Sequence, residues 1–332
     1  MATLKDVAKL ACVDVSTVSR ALNNTSYVHP ETKKKIYAAV ERLSYKPNLI
    51  AKSLRQGKRN AIGVVVPGIN FSIFSEIVQG IELEARKLGY SIMICNTNDN
   101  PDSEEECLNR FRNGLVDGII IASTGQNMRL LRDISASGIA VVQMVRKQDK
   151  EFSSVVADYD ACGYEGVKYL YAKGCRHIGF INGPMDIIPY KERYRGYHRA
   201  MKECGCEEMV TESTQHLGDY FQDGYDGVAK LLEKDPELDA IIVAADLQGL
   251  GVIRALKERK IKIPDEIKVM SLTGHSIGSM METTMTSMEM PAKEMGVRLT
   301  GMIVEHIDAD ADHQPNRQHV VFDASLVERE TT

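Results

Sequence analysis

The sequence predicts an N-terminal all-α head of the helix-turn-helix kind, joined to an α/β core of two parallel-sheet subdomains. Three observations carry this. At 332 residues the chain is too long for one ordinary core. Its first sixty residues hold 12 Lys and Arg against 4 acids, a charge of +8, so the net −5 of the chain leaves −13 on residues 61–332. From residue 61 onward, short apolar runs alternate with amphipathic stretches, the pattern of strand–helix units. A basic head on an acidic body is the asymmetry of a nucleic-acid-binding module attached to something else. A solvated charged face would explain single lysines but not the reversal of sign.

The head reads as three helices. Thr3 and Asp6 form a capping-box-like start, and Leu4, Val7, Ala8 and Ala11 then recur at helical spacing. After a brief turn, Asp14 is placed to cap a second helix running from Val15 to Leu22. On it, Val18, Ala21 and Leu22 face inward and Val15, Ser16, Thr17 and Arg20 face outward. Pro30 suits the first position of a third helix through Ile36, Ala39, Val40 and Leu43. Two short helices at a tight turn with a third closing a mini-core describe a helix-turn-helix head.

The runs Thr3–Ala11, Val15-Ser-Thr-Val-Ser-Arg20 and Tyr45-Lys-Pro-Asn48 match the lactose-repressor/galactose-repressor family in order and spacing. Asn48–Arg55 resembles that family's hinge helix, and Ile62–Pro67 its first core strand. The resemblance implies a head over 1–46, a hinge helix and linker over 47–60, and an effector-binding and dimerisation core over 61–332. It further implies a sequence-specific DNA-binding regulator, most simply a repressor, that sits on a pseudo-palindromic operator as a dimer. Thr3, Val15, Ser16, Thr17 and Arg20 are then the candidate contacts of the head. Val15 offers a thymine methyl only apolar contact, and Ser16 can serve donor or acceptor edges. Ala51, Lys52, Leu54 and Arg55 map onto the hinge helix that enters the minor groove, with Leu54 as the wedge between base steps; the plainer reading of Leu54 is a core leucine. Two positions depart from the family. Cys12 stands at a turn position usually held by Gly, and Asp14 where Ser is common.

The core alternates in two series. Apolar runs at 62–66, 91–95, 118–122 and 140–144 are interleaved with helical patterns through Phe74, Ile77 and Ile81 and around Glu105–Phe111. A second series places helices at 161–173, 190–203, 221–233 and 247–258 among strands at 177–181, 240–243 and 267–272, with a last helix near 292–306. Such units give parallel sheets covered by helices, with the subdomain boundary near Val155–Asp158. The family's core is similar to periplasmic sugar-binding proteins, in which the chain crosses three times between two lobes and ligand sits in the cleft. A cleft beyond the carboxyl ends of parallel strands is expected in any case.

Motif matches supply the cleft candidates: Phe71 and Phe74 after the first strand, Arg193 in an Arg-x-x-Gly-aromatic signature ending at Gly196 and Tyr197, Tyr220, and Asp246. Each has a plainer role: Phe71 or Phe74 as core, Arg193 in a structural salt bridge, Asp246 as a helix cap. Where the family commonly ends a strand in Gly-Phe-Asp, this chain has Ser271-Leu-Thr273-Gly-His275. Thr273 is taken as a sixth candidate, and the missing carboxylate weakens transfer of any particular sugar or purine ligand. Ile187 and Ile188 add apolar surface near the mouth and argue against a purine-type pocket. The effector class implied is carbohydrate-like. A phosphorylated carrier protein as corepressor ranks low, because Lys293 and Gly301 do not resemble the docking face.

Other functions fare worse. Gly249-Leu-Gly251 loosely resembles a dinucleotide fingerprint but lacks the third glycine, at Arg254, and falls inside a helix. There is no Walker A sequence, HExxH or GxSxG, so no catalytic residue and no cofactor are assigned. A transport-type solute-binding protein would share the body but not the basic head. Seven scattered cysteines, with only Cys204 and Cys206 close together, suggest reduced thiols rather than a metal site. No apolar run approaches a membrane span and the N-terminus lacks a secretory core, so a cytoplasmic protein with no membrane partner is expected. Residues 327–332 carry no leucine heptad, which favours a homodimer over a tetramer.

Overall fold

The computed structural model describes residues 2–23, 26–45, 58–213, 219–309 and 315–332. The chain divides into two units, Met1–Arg59 and Asn60–Thr332.

The first unit holds α1 (Leu4–Ala11), α2 (Val15–Asn23) and α3 (Pro30–Arg42). Thr3 closes a capping box with Asp6, and Pro30 opens α3. Val7, Ala8, Ala11, Val18, Ala21, Ile36 and Ala39 are buried together, with Leu4, Val13, Leu22, Val28 and Val40 packed around them. Small residues at the α1–α2 contact let two short helices approach closely enough for one small core to hold all three. Asp14 precedes α2, and its carbonyl accepts from the Thr17 and Val18 amides. Cys12, the C-cap of α1, has φ 55° and ψ 45°, a left-handed conformation that costs an L-residue about 1–2 kcal/mol.

The second unit contains two six-stranded sheets. In chain order its elements are β1 (Ala61–Val66), α4 (Ser72–Lys87), β2 (Ser91–Asn96), α5 (Pro101–Arg112), β3 (Gly118–Ile121), α6 (Met128–Ala136), β4 (Ala140–Met144) and β5 (Ser153–Ala157). There follow α7 (Tyr159–Ala172), β6 (Ile178–Asn182), α8 (Ile188–Cys204), β7 (Met209–Glu212), α9 (Tyr220–Lys234), β8 (Ala240–Val243) and α10 (Asp246–Glu258). The chain closes with β9 (Lys268–Gly274), α11 (Ser276–Met280), β10 (Thr286–Glu289), α12 (Ala292–Asp308), β11 (His319–Phe322) and β12 (Ser325–Val327).

The sheet orders are β11-β5-β4-β3-β1-β2 and β12-β10-β9-β8-β6-β7. All pairings are parallel except β10 with β12, an antiparallel edge that the sequence did not announce. The chain leaves the first lobe after β5, returns to it before α12, and leaves it finally between β11 and β12, which makes three crossings. Central strands are apolar on both faces; β1 and β3 are buried at every position, as expected of strands covered by helices on either side.

Three helix pairs, α4–α12, α7–α8 and α9–α10, cross at glycine. In α7–α8 a Cβ on Gly196 would lie 1.9 Å from the Asp160 carbonyl oxygen, and one on Gly163 would lie 2.1 Å from that of Arg193. Gly251 plays the same part for α10 against Phe221, so the Gly249–Gly251 pair serves helix packing rather than a phosphate turn.

The cysteines differ from expectation in one respect. Cys95 on β2 and Cys107 on α5 are paired as a disulfide, while Cys12, Cys162, Cys175, Cys204 and Cys206 are free. Among the described residues no helix is long and apolar enough to cross a membrane, and no cluster of three or more His, Cys, Asp or Glu is arranged to hold a metal ion.

Candidate nucleic-acid interface and ligand cavity

The alternation of apolar and polar residues on α2 has a direct structural result. Val18 and Ala21 are buried, whereas Val15 (38% exposed), Ser16 and Arg20 stand out on the surface and Thr17 is half-buried. An apolar residue this exposed at the start of a helix, beside a serine that stands about one turn before an arginine, forms the mixed surface that base edges and phosphates accept. Thr3 is occupied locally: its hydroxyl donates to Asp6 Oδ2 at 2.7 Å and receives the Asp6 N–H at 3.3 Å. That bond holds the Asp6 carboxyl below its ordinary range. Ala51, Lys52, Leu54 and Arg55 lie outside the described residues.

In the second unit, Phe71, Phe74, Arg193, Tyr220, Asp246 and Thr273 all line one cavity of about 70 Å³ between the two lobes. The elements explain the convergence. Phe71 caps α4 just beyond β1, Asp246 opens α10 beyond β8, and Thr273 ends β9, so three come from the carboxyl ends of parallel strands. Arg193 lies one turn before Gly196 on α8. Because Gly196 and Gly163 let α8 rest on the backbone of α7, the arginine is drawn down between Tyr159, 4.8 Å from its guanidinium, and Tyr190, 5.7 Å away. The Arg-x-x-Gly spacing is thus a packing requirement that aims a charge.

The walls are aromatic. Phe71 meets Tyr220 edge-on at 4.9 Å and Phe74 at 6.5 Å, and the Tyr190 hydroxyl donates to that of Tyr220 at 3.0 Å. Phe74, 6% exposed, belongs to the main apolar core as well as to the cavity wall.

The polar groups are few and differently satisfied. Arg146 forms a two-pronged bond with Asp99, at 2.5 and 3.0 Å, both side chains buried. Neither was singled out in the sequence, since each is an unremarkable charge in a loop. Thr273 directs its hydroxyl to the Ala244 carbonyl at 2.7 Å, which ties β9 to β8. Asp246 does not cap its helix; its Oδ2 accepts the His275 N–H at 3.0 Å, and burial pushes its carboxyl up to about 7.

His275, a cavity-lining residue that sequence reasoning did not single out, lies just beyond β9, two positions after Thr273. Its Nδ1 lies 3.2 Å from Glu76 Oε2, and burial lowers its pKa. Four buried atoms of the cavity wall make no hydrogen bond: Tyr159 Oη, Arg193 Nε, Asp246 Oδ1 and His275 Nε2. Arg193 is 4% exposed, and among the described residues no carboxylate stands within salt-bridge distance of it, so the structural salt bridge that was its alternative role is not made.

Comparison with known proteins follows the same division. Residues 3–48 match the model for bacterial regulatory proteins of the lacI family, and residues 59–322 that for periplasmic binding proteins and the sugar binding domain of the LacI family. The chain is 31% identical over 311 residues to the catabolite control protein A of Priestia megaterium, covering 93% of each chain. In fold it is similar to the lac repressor dimer bound to operator and the anti-inducer ONPF, with TM-score 0.86, 22% identity and coverage of 99% of this chain and 98% of that one. It is likewise similar to a transcriptional regulator CelR–cellobiose complex, with TM-score 0.73, 24% identity and full coverage of both chains. The helix-turn-helix head and the two-lobed core with its interlobe cavity are the two halves of one design: the chain belongs to the LacI family of DNA-binding transcriptional regulators, which are not enzymes.

Proposed function

We propose that the chain is a repressor that binds a pseudo-palindromic operator as a homodimer and changes its hold on that operator when a small carbohydrate-derived effector enters the interlobe cavity. The observation that carries this reading is the cavity itself. It is enclosed by both lobes, walled by aromatics and provided with buried polar groups that have no protein partner. Burying a polar group without a partner costs about 1–3 kcal/mol, so four in one wall support reading it as a place kept for a ligand. The relatives support the class: one solved neighbour is a cellobiose complex and another an operator-bound dimer.

Val15, Ser16, Thr17 and Arg20 are assigned to the major groove, Thr3 to the adjoining backbone, and Ala51, Lys52, Leu54 and Arg55 to the minor groove. Phe71, Phe74, Tyr220, Arg193, Asp246 and Thr273 are assigned to the effector. Ligand acts by favouring one arrangement of the lobes, a coupling of about 1–3 kcal/mol.

Selection of bound sites from a random duplex pool, followed against salt, tests the DNA half. A palindromic consensus with a flexible central step and a steep salt slope is expected. Leu54→Ala should weaken binding to the selected site while leaving ligand binding intact, and equal affinity of mutant and wild type rejects the wedge. Failure to enrich any sequence overturns the operator-binding reading.

A further inference from the structure

We propose that Cys95 and Cys107 are a redox site, a dithiol that small hydroperoxides convert reversibly to the disulfide, and that the disulfide fixes the segment of the cavity wall that carries Asp99. The thiol chemistry stands apart from the reading of the cavity as the effector site; its effect on operator binding rests on that reading.

The pairing is selective. Cys95, half-buried on β2, and Cys107, 1% exposed on α5, are bonded to each other, while the other five cysteines are free. A DNA-binding regulator works where thiols are kept reduced, and a disulfide in such a protein is ordinarily transient, formed and broken in response to oxidants. Access sets the order of events. β2 is an edge strand of its sheet, and Cys95 is more open than Cys107. The Cys95 thiolate attacks a peroxide oxygen, the O–O bond breaks, water or an alcohol leaves, and Cys95 becomes a sulfenic acid. Cys107 Sγ then loses its proton and attacks that sulfur; the S–S bond forms, the S–O bond breaks and the hydroxyl leaves as water. Two thiols are oxidised and one hydroperoxide is reduced by the same two electrons. A small neutral oxidant suits the place, because the exposed Glu105 and Glu106 immediately precede Cys107 and repel an anionic disulfide.

The segment between the two cysteines gives the bond its consequence. The disulfide joins residues 12 apart in sequence, and the loop it closes holds two successive non-glycine residues in the left-handed region, Asn98 at φ 53° and Asp99 at φ 52°. Such a turn is uncommon even for Asn and Asp, and it is held from its ends: the Thr97 N–H donates to the Val66 carbonyl, and the Asn100 side chain caps α5. From this turn Asp99 reaches Arg146 in the two-pronged bond of the cavity wall. Just before it, Asn96 Oδ1 accepts the Ile69 amide at 2.9 Å, two residues ahead of Phe71. With the disulfide formed, β2 and α5 cannot part and the turn between them has few alternatives. With it reduced, the loop regains conformational freedom, so the Asp99–Arg146 wall and the Ile69 loop loosen together.

Full-length protein, reduced with dithiothreitol and then exposed to hydrogen peroxide, tests this by alkylation and mass spectrometry. The tryptic peptide 88–110 carries both cysteines; it should become lighter by two hydrogens and resist alkylation, and dithiothreitol should restore it. Hydrogen peroxide should act faster than oxidised glutathione at equal concentration. Hydrogen exchange at the Ile69 and Thr97 amides should be slower in the oxidised form by about tenfold. Retention of the selected operator duplex should change by about fivefold or more on oxidation. Cys95→Ser should hold the duplex as the reduced wild type does, with or without peroxide. The thiol and exchange measurements use the wild-type chain and stand even if that variant does not fold. The proposal is overturned if peptide 88–110 keeps two alkylatable thiols under peroxide, if its oxidised form resists dithiothreitol, or if exchange at the two amides is equal in both forms. Faster reaction with oxidised glutathione removes the hydroperoxide as oxidant. Duplex retention that ignores oxidation, or responds equally in Cys95→Ser, removes the regulatory role and leaves the thiol site.

Discussion

The carboxyl of Asp246 gives the sharpest quantitative test, because its position fixes both a sign and a size. It is 4% exposed, accepts one hydrogen bond from the His275 amide and leaves Oδ1 unpartnered. Burial raises it from its ordinary 3.8 to about 7. The native state therefore holds a proton between those values that the unfolded chain has released, and stability is lost as pH rises through that window. At about 1.4 kcal/mol per pH unit, ionisation of Asp246 costs the fold about 4 kcal/mol above neutrality, of which roughly 3 kcal/mol appears between pH 5 and pH 8. Asp246→Asn keeps an oxygen for the His275 amide and cannot ionise. In urea unfolding of the ligand-free protein, the variant should gain on the wild type by about 3 kcal/mol on going from pH 5 to pH 8. The comparison cancels every other titrating group. A gap that stays constant across that range would refute the assignment of a raised pKa, and a gap that narrows would reverse its sign.

Three further outcomes are expected. Cys12→Gly should raise the melting temperature of the head, because glycine removes the cost of φ 55° and gives back only part of it as backbone entropy, a net gain of up to about 1 kcal/mol; a lower melting temperature would contradict the strain. Gly196→Ala places a methyl 1.9 Å from the Asp160 carbonyl oxygen, which should cost about 1–3 kcal/mol in stability and weaken ligand binding through the displaced Arg193; calorimetry showing unchanged affinity would separate the motif from the site. Glu76→Gln removes the anion that favours protonation of His275, so the imidazole should titrate lower still by NMR, and an upward shift would exclude the contact.

The fold was legible because its elements carry strong periodic signals. β1, β3 and β8 are short apolar runs buried at every position, and α4, α8 and α12 are long enough for their buried faces to show. The elements that escaped notice are short, polar or edge strands. β5 (Ser153–Ala157) was read as the lobe boundary, and β10 to β12 depend on partners far away in sequence. In the site, aromatics after strands and the Arg-x-x-Gly signature pointed to the cavity. Asp99 and Arg146 did not, since two loop charges 47 residues apart acquire meaning only when they meet. His275 carried no signal of its own, since a lone histidine just past a strand gains its place only when Glu76 of the other lobe meets it.

The lobes meet at the groups that would recognise a ligand. Glu76 belongs to α4 on the first lobe, yet it faces His275 and accepts from the Ser276 amide and hydroxyl on the second. Phe71 of the first lobe rests against Tyr220 of the second. A molecule entering here must touch residues of both lobes, and some of them are already in contact across the gap. If it bridges Arg193 and Asp246 of the second lobe while stacking on Phe71 of the first, its binding energy differs between open and closed arrangements. That difference is the only means by which occupancy can bias one arrangement over another. The Glu76–His275 contact has the complementary effect of tying the two lobes together across the cavity.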